Sequence, residues 1–215
     1  LSFLSPLSTI VQQVVTFLYS LTAGIGFPSY GLAIIIMTII VKLILYPLTA
    51  KQISSTKAMM DLQPKMKAIQ EKYKNDKVLL NQKLAELYKD QGINPLAGCL
   101  PLLVQMPIMI GIFYGIRDFS YVGPNNFLWI QNISEPDPLF ILPVLSALTT
   151  FIQSKQSMPD TSSAQNKIML YFMPIFIGYI SFQFPAGLVL YWVVMNIMQI
   201  GQQALMNKKT SAAGK

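Results

Sequence analysis

The chain has 215 residues, 53% of them hydrophobic and only 12% charged, more apolar surface than a soluble domain of this size can hide, so it reads as a polytopic membrane protein. It contains no histidine and a single cysteine, Cys99, beside an apolar run, which excludes disulfides, His-based catalysis and Cys/His metal sites and points to no cofactor. The net charge of +7 does not point to nucleic acid, because nine of the sixteen cations fall between residues 51 and 90 together with five acids, the pattern of a solvated loop flanking membrane helices.

Residues 1–27 carry no charge. After Ser5-Pro6, an N-cap followed by a first helical position, Leu7, Ile10, Val11, Val14, Leu18 and Leu21 recur at helical spacing opposite Thr9, Gln12, Gln13, Thr16 and Ser20. This predicts an amphipathic helix lying in the membrane interface rather than a span, since two adjacent glutamines would otherwise sit at mid-membrane. A basic n-region is missing, so it is not an intact signal peptide, and Leu1 in place of methionine suggests an upstream segment.

Residues 30–48, YGLAIIIMTIIVKLILYPL, form the first predicted span: nineteen residues cover roughly 28 Å, close to the ~30 Å hydrocarbon core. The span carries one cation, Lys42. A lysine at the bilayer centre costs about 2.5–3.5 kcal/mol, which makes it a functional candidate. Equally, its ammonium can snorkel to the headgroups, four residues before the interfacial Tyr46.

Residues 50–94 are the one strongly polar block. Met59, Leu62, Met66, Ile69 and Tyr73, then Leu80, Leu84 and Leu87, recur at three- and four-residue steps around the turn Lys74-Asn75-Asp76. Asp76 is an N-cap, Gly92 followed by Pro95 a stop, and Pro64 a possible kink site. The block predicts an antiparallel helical hairpin outside the membrane. Its stripe either zips the two helices together or leaves a basic face for anionic lipid, the ribosome or targeting factors.

A second span over 96–116 tolerates Pro101 and Pro107 because neighbouring helices re-satisfy freed backbone groups. An external loop over 117–138 leads to a third span, 139–152, whose fourteen residues give about 21 Å of helix, short enough to imply local thinning or water penetration. A polar loop at 153–166, a fourth span at 167–182, a turn at 183–187, a fifth span at 188–205 and a basic tail at 206–215 complete the chain. Fourteen cations then fall on the hairpin side and Arg117 alone on the other. The positive-inside rule places the hairpin, the 153–166 loop and the C-terminus in the cytosol and the N-terminus outside.

Thr38 lies one turn before Lys42 on the same face; Gln105, Ser146, Thr149, Thr150, Gln153, Asn196 and Gln199 also fall at mid-depth or in the cytosolic half. Scattered polar residues usually hold helices together through hydrogen bonds worth about 0.6 kcal/mol each. A lone cation with no Asp or Glu in any span is harder to explain that way, and it suggests a water-filled recess open to the cytosol. Intramembrane serine or aspartyl proteases lack their residues here, so the chain does not read as an enzyme. A small-solute or ion carrier is disfavoured by the absence of a membrane acid and of an inverted repeat, and a structural assembly partner stays open.

The runs IIIMTIIVKLILYPLTAKQ, LQPKMKAIQEKY, NPLAGCLPLLVQMPI and FPAGLVLYWVVMNIMQIGQQ, in this order, resemble the conserved core of the YidC membrane-protein insertases and their mitochondrial and chloroplast relatives. The resemblance covers nearly the whole chain. It implies five transmembrane helices, an external interfacial helix, a cytosolic hairpin and a positively charged groove open to cytosol and lipid, in a bacterial plasma membrane. It further implies nascent membrane proteins as substrates, with the ribosome, targeting factors and the Sec translocon as partners. Lys42 occupies a position where the family most often has arginine, keeping the charge but losing the bidentate fork. Thr38, Tyr191 and Trp192 fall where the family lines its groove or contacts substrate. Gln105, Gln153 and Asn196 join the candidate site on depth and polarity.

Overall fold

The structure, a computed structural model, describes residues 5–92, 100–157 and 164–213. Cys99, Pro95 and residues 158–163 lie outside them. Among the described residues, regular structure is helical apart from one isolated bridge between Phe127 and Ile130.

The first helix, α1 (Ser5–Gly24), packs on α2 (Tyr30–Ile44) and on α5 (Leu100–Arg117). Its apolar surface is divided. Val11, Val15 and Leu18 are buried, whereas Ile10, Phe17 and Leu21 are exposed. Gly111 and Gly115 make the α1–α5 approach possible, because a Cβ at either would overlap Leu7 or Val11.

Ser29 starts α2, its Oγ accepting a hydrogen bond from the Leu32 amide at 3.2 Å. The helix ends at Ile44 rather than carrying through to residue 48. Pro47 has no N–H to donate and its ring collides with the carbonyl four residues back, so the chain turns at Leu45. The next helix, α3 (Tyr46–Lys72), departs at 66° to α2 and runs through Pro64 without interruption. Asp76 then caps α4 (Lys77–Asp90), accepting from the Val78 and Leu79 amides at 3.1 and 2.9 Å. Helices α3 and α4 pack together, with Leu62 buried and the Tyr88 hydroxyl donating to Met66 Sδ at 3.5 Å.

At the other end of the bundle, the 118–140 loop ties three helices. Tyr30 Oη donates to the Val122 carbonyl and accepts from the Val122 amide, both at 3.0 Å. Asp137, buried, caps α6 (Ile141–Ser157) by accepting from the Leu142 amide at 2.7 Å. The Glu135 and Ile133 carbonyls accept from the Ala186 and Gly187 amides at 2.7 and 2.9 Å, holding the start of α9 (Ala186–Ala213).

Helix α6 extends past residue 152, so Gln153 lies on a helix and not in a loop. Its last turn is held by α9: Gln203 Nε2 donates to the Gln156 carbonyl at 2.9 Å and Ser157 Oγ donates to Gln203 Oε1 at 3.2 Å. The helical run α7 (Ala164–Lys167), a π-helical turn over Ile168–Phe172 and α8 (Met173–Ser181) is continuous. The π turn places the Met173 amide on the Ile168 carbonyl one residue ahead of Pro174, which cannot donate. Gly178 lets α8 approach Ala147 of α6, and Ser146 Oγ and Ser181 Oγ share a hydrogen bond at 2.9 Å.

Among the described residues, α9 qualifies by itself as a membrane span by length and apolarity, over Ala186–Asn207, and α2 with α3 qualifies as a bent pair. The apolar core occupies the loop end of the bundle: Tyr30, Ala33, Ile34 and Met37 of α2, Ile112 and Ile116 of α5, and Ala186 through Met195 of α9. It stops at the same level on two helices. Buried Met37 gives way to buried Thr38, and buried Met195 to buried Asn196.

Candidate functional site

Below that level, towards the hairpin, the buried side chains turn polar: Thr38, Lys42, Thr149, Thr150, Asn196, Gln202 and Gln203. Helix α9 supplies three of them. Trp192, Asn196, Gln199 and Gln203 recur at steps of four, three and four, one face of a helix. That face lies between α2 and α6, because Gln199 bonds to α2 while Trp192, Asn196 and Gln203 bond to α6.

Lys42 is 9% exposed and its Nζ donates to Gln199 Oε1 at 2.7 Å. Among the described residues no carboxylate lies within ion-pair distance of it; the ion pair formed on the hairpin, Lys83 with Glu86 at 2.6 Å, is exposed and remote in sequence. A neutral amide oxygen therefore holds a buried cation. Such a bond is worth more than a neutral one but leaves the charge uncompensated. An ammonium so placed gains most from an anion brought to it.

On the α6 side, Asn196 Nδ2 donates to Thr149 Oγ1 and Thr150 Oγ1 at 3.2 and 2.9 Å. Trp192 Nε1 donates to the same Thr150 Oγ1 at 3.1 Å. Asn196 is fully buried, and its Oδ1 has no partner among the described residues; the same holds for Gln156 Oε1 and Gln202 Oε1. Three acceptors thus lie in this polar layer without donors, an arrangement that favours water or an incoming donor.

The seven candidates separate into groups. Lys42, Trp192 and Asn196 converge on the α2–α9–α6 junction. Thr38 is buried beside them in sequence, but its hydroxyl donates back to the Ile34 carbonyl at 2.7 Å, within its own helix. Gln105 and Tyr191 form a separate bridge from α5 to α9, Gln105 Nε2 donating to Tyr191 Oη at 2.8 Å. Gln153 is half-buried on α6, and its side chain makes no hydrogen bond with the described residues. Gln199, the residue that holds Lys42, was absent from the candidates chosen for the site. The three–four spacing from Trp192 to Gln203 was the available signal, but it does not say which member meets the lysine 157 positions away. No group of three Cys, Asp or Glu side chains able to hold a metal exists among the described residues.

Comparison with known proteins gives one consistent answer. The pattern of the 60Kd inner membrane protein family matches residues 20–213. A membrane protein insertase YidC of Oceanobacillus iheyensis is 45% identical over 217 residues, covering 95% of this chain and 85% of that protein. The protein of the same name from Fusobacterium nucleatum is 41% identical, covering 96% of this chain and 99% of its own length. That of Francisella tularensis subsp. novicida is 40% identical over 99% of this chain, which spans 38% of it. A crystal structure described as an active YidC insertase with its first transmembrane domain resolved superposes with a TM-score of 0.70 at 29% identity, over 90% of this chain and 45% of that one.

Proposed function

Because this chain belongs to the 60Kd inner membrane protein family, whose relatives carry the name membrane protein insertase YidC, we propose that it inserts nascent membrane proteins, and that the α2–α9–α6 junction receives their polar segments. The observation that carries the reading is Lys42, a buried ammonium whose partner is an amide. A substrate carboxylate entering the junction gains the uncompensated charge, which lowers the cost of moving that segment towards the opposite side. No bond is made or broken. The substrate's apolar segment then leaves sideways into lipid along α2, α6 and α9, driven by its own burial. Membrane potential adds about 2.3 kcal/mol per charge per 100 mV.

This reading takes α2, α5, α6, the run from α7 to α8, and α9 as five spans, and α1 as an interfacial helix. Fourteen of the sixteen cations then face the cytosol, nine on the hairpin, Lys155 near the end of α6, Lys167 at the end of α7 and three in the tail, with the N-terminus outside a bacterial inner membrane. The hairpin, exposed along most of α4, and the tail are the surfaces for ribosome, targeting factors and Sec translocon.

The test is complementation of insertase-depleted cells by Lys42→Arg, Lys42→Ala and Lys42→Glu at matched expression, with a single-span substrate bearing an acidic external tail. Arg is expected to support insertion and Ala and Glu to fail. Equal insertion by Lys42→Glu would show that the cation is a snorkelling anchor and refute the charged-junction mechanism.

A further inference from the structure

The turn over Phe127–Ile130 is closed by two hydrogen bonds, from the Phe127 amide to the Ile130 carbonyl and from the Ile130 amide to the Phe127 carbonyl, each at 2.8 Å. Both ends of the turn are anchored inward: the Phe127 ring lies against Gly31, and Ile130 is fully buried. The side chain between them is not. Leu128 is 73% exposed, and its φ of +52° is a left-handed backbone that a leucine disfavours and a glycine or asparagine tolerates. Inside this chain the leucine gains almost no packing in return for that conformation.

The level of the tip is fixed. Trp129 Nε1 donates to Asp137 Oδ1 at 2.9 Å, and the same carboxylate accepts from the Leu142 amide, so the tip sits beside the first turn of α6. From there an exposed apolar row descends α6 through Ile141, Val144, Leu148 and Ile152 at three- and four-residue steps. Phe140, at the head of that row, is the other non-glycine residue of positive φ, at +57°, among the described residues, and it too is more than half exposed. Residues 119–134 carry no charge, and asparagines and a glutamine flank the tip and its tryptophan. Aromatic and amide side chains beside an exposed aliphatic one are the composition of a headgroup–acyl boundary.

We propose that the Leu128–Trp129 tip is a membrane anchor, inserting Leu128 into the outer leaflet at the head of α6 and so fixing the 118–140 loop against the bilayer. The proposal uses the reading of α6 as a span and adds a lipid contact to a loop otherwise counted as external. Its consequence is mechanical. The loop that caps α6 and α9 through Asp137, Glu135 and Ile133 would be held by lipid as well as by protein.

The test is electron paramagnetic resonance of a nitroxide at Leu128→Cys in a Cys99→Ser background, in phosphatidylcholine–phosphatidylglycerol vesicles. Val144→Cys serves as lipid reference and Asn126→Cys as water reference. The label at 128 is expected to collide with oxygen in preference to a water-soluble nickel chelate, as at Val144. Nickel access matching that at 126 overturns the proposal and leaves the span reading intact. Shielding from both reagents also overturns it, since protein would then cover the tip. Nickel access at Val144 as well refutes the span reading and the proposal together.

Discussion

Replacing Gln199 by glutamate places a carboxylate where an amide oxygen now accepts from Lys42 Nζ at 2.7 Å. Two unit charges about 4 Å apart attract by about 4 kcal/mol at an effective dielectric of 20, and desolvating the new carboxylate removes part of that. If only a third survives, a substrate carboxylate must displace a partner held more tightly by about 1.4 kcal/mol, a factor of ten. Insertion of a single-span substrate with an acidic external tail, followed by protease accessibility of that tail at matched expression, should fall about tenfold or more in Gln199→Glu. A substrate with a neutral tail should fall much less. Gln199→Met separates charge from packing. It removes the acceptor and costs stability of about 1.5–3 kcal/mol, the worth of a hydrogen bond to a charged group, but leaves Lys42 available to substrate. Wild-type insertion of the acidic-tailed substrate by Gln199→Glu would refute the idea that the free charge of Lys42 is what the substrate meets.

Two structural perturbations test the frame around the site. Asp137→Ala removes a helix cap and strands the Trp129 indole N–H and the Leu142 amide, both of which donate to that carboxylate; a loss of about 3 kcal/mol should appear as a clearly lowered melting temperature in detergent, and a melt unchanged from wild type would sink the assignment of Asp137 as the clasp of α6. Gly115→Val adds a Cβ that would sit 2.6 Å from Val11 Cγ1, so α1 must shift; destabilisation by about 1–3 kcal/mol, with increased proteolysis of α1, is expected, and Gly115→Val combined with Val11→Ala should recover much of it.

Much of the helical frame was legible in the sequence because it depends on neighbours in the chain. Asp76 caps α4 because an aspartate ahead of a periodic run satisfies free amides, whatever lies elsewhere. Pro47 carries an equally local boundary signal that the sequence reading did not use, since it carried the first span to residue 48 and did not yield the 66° turn at Leu45. Lys42 also stood out in the sequence, as a cation in an apolar run with no acid in any proposed span, and the structure buries it against α9.

The rest needed the tertiary structure. Residues 153–157 read as loop because they are polar, yet they are helical because Gln203 of α9 bonds the Gln156 carbonyl and Ser157. Leu7, Ile10, Val11, Val14, Leu18 and Leu21 of α1 formed one set in the sequence, but contact with α2 and α5 buries Val11 and Leu18 and leaves Ile10 and Leu21 outside. Lys42 found its acceptor on α9, while Thr38, one turn away, bonds only its own helix. Periodicity fixes which side chains share a face, since that follows from the pitch of one helix. Which neighbouring helix that face meets, and at what level its core turns polar, is set by packing between segments far apart in the chain.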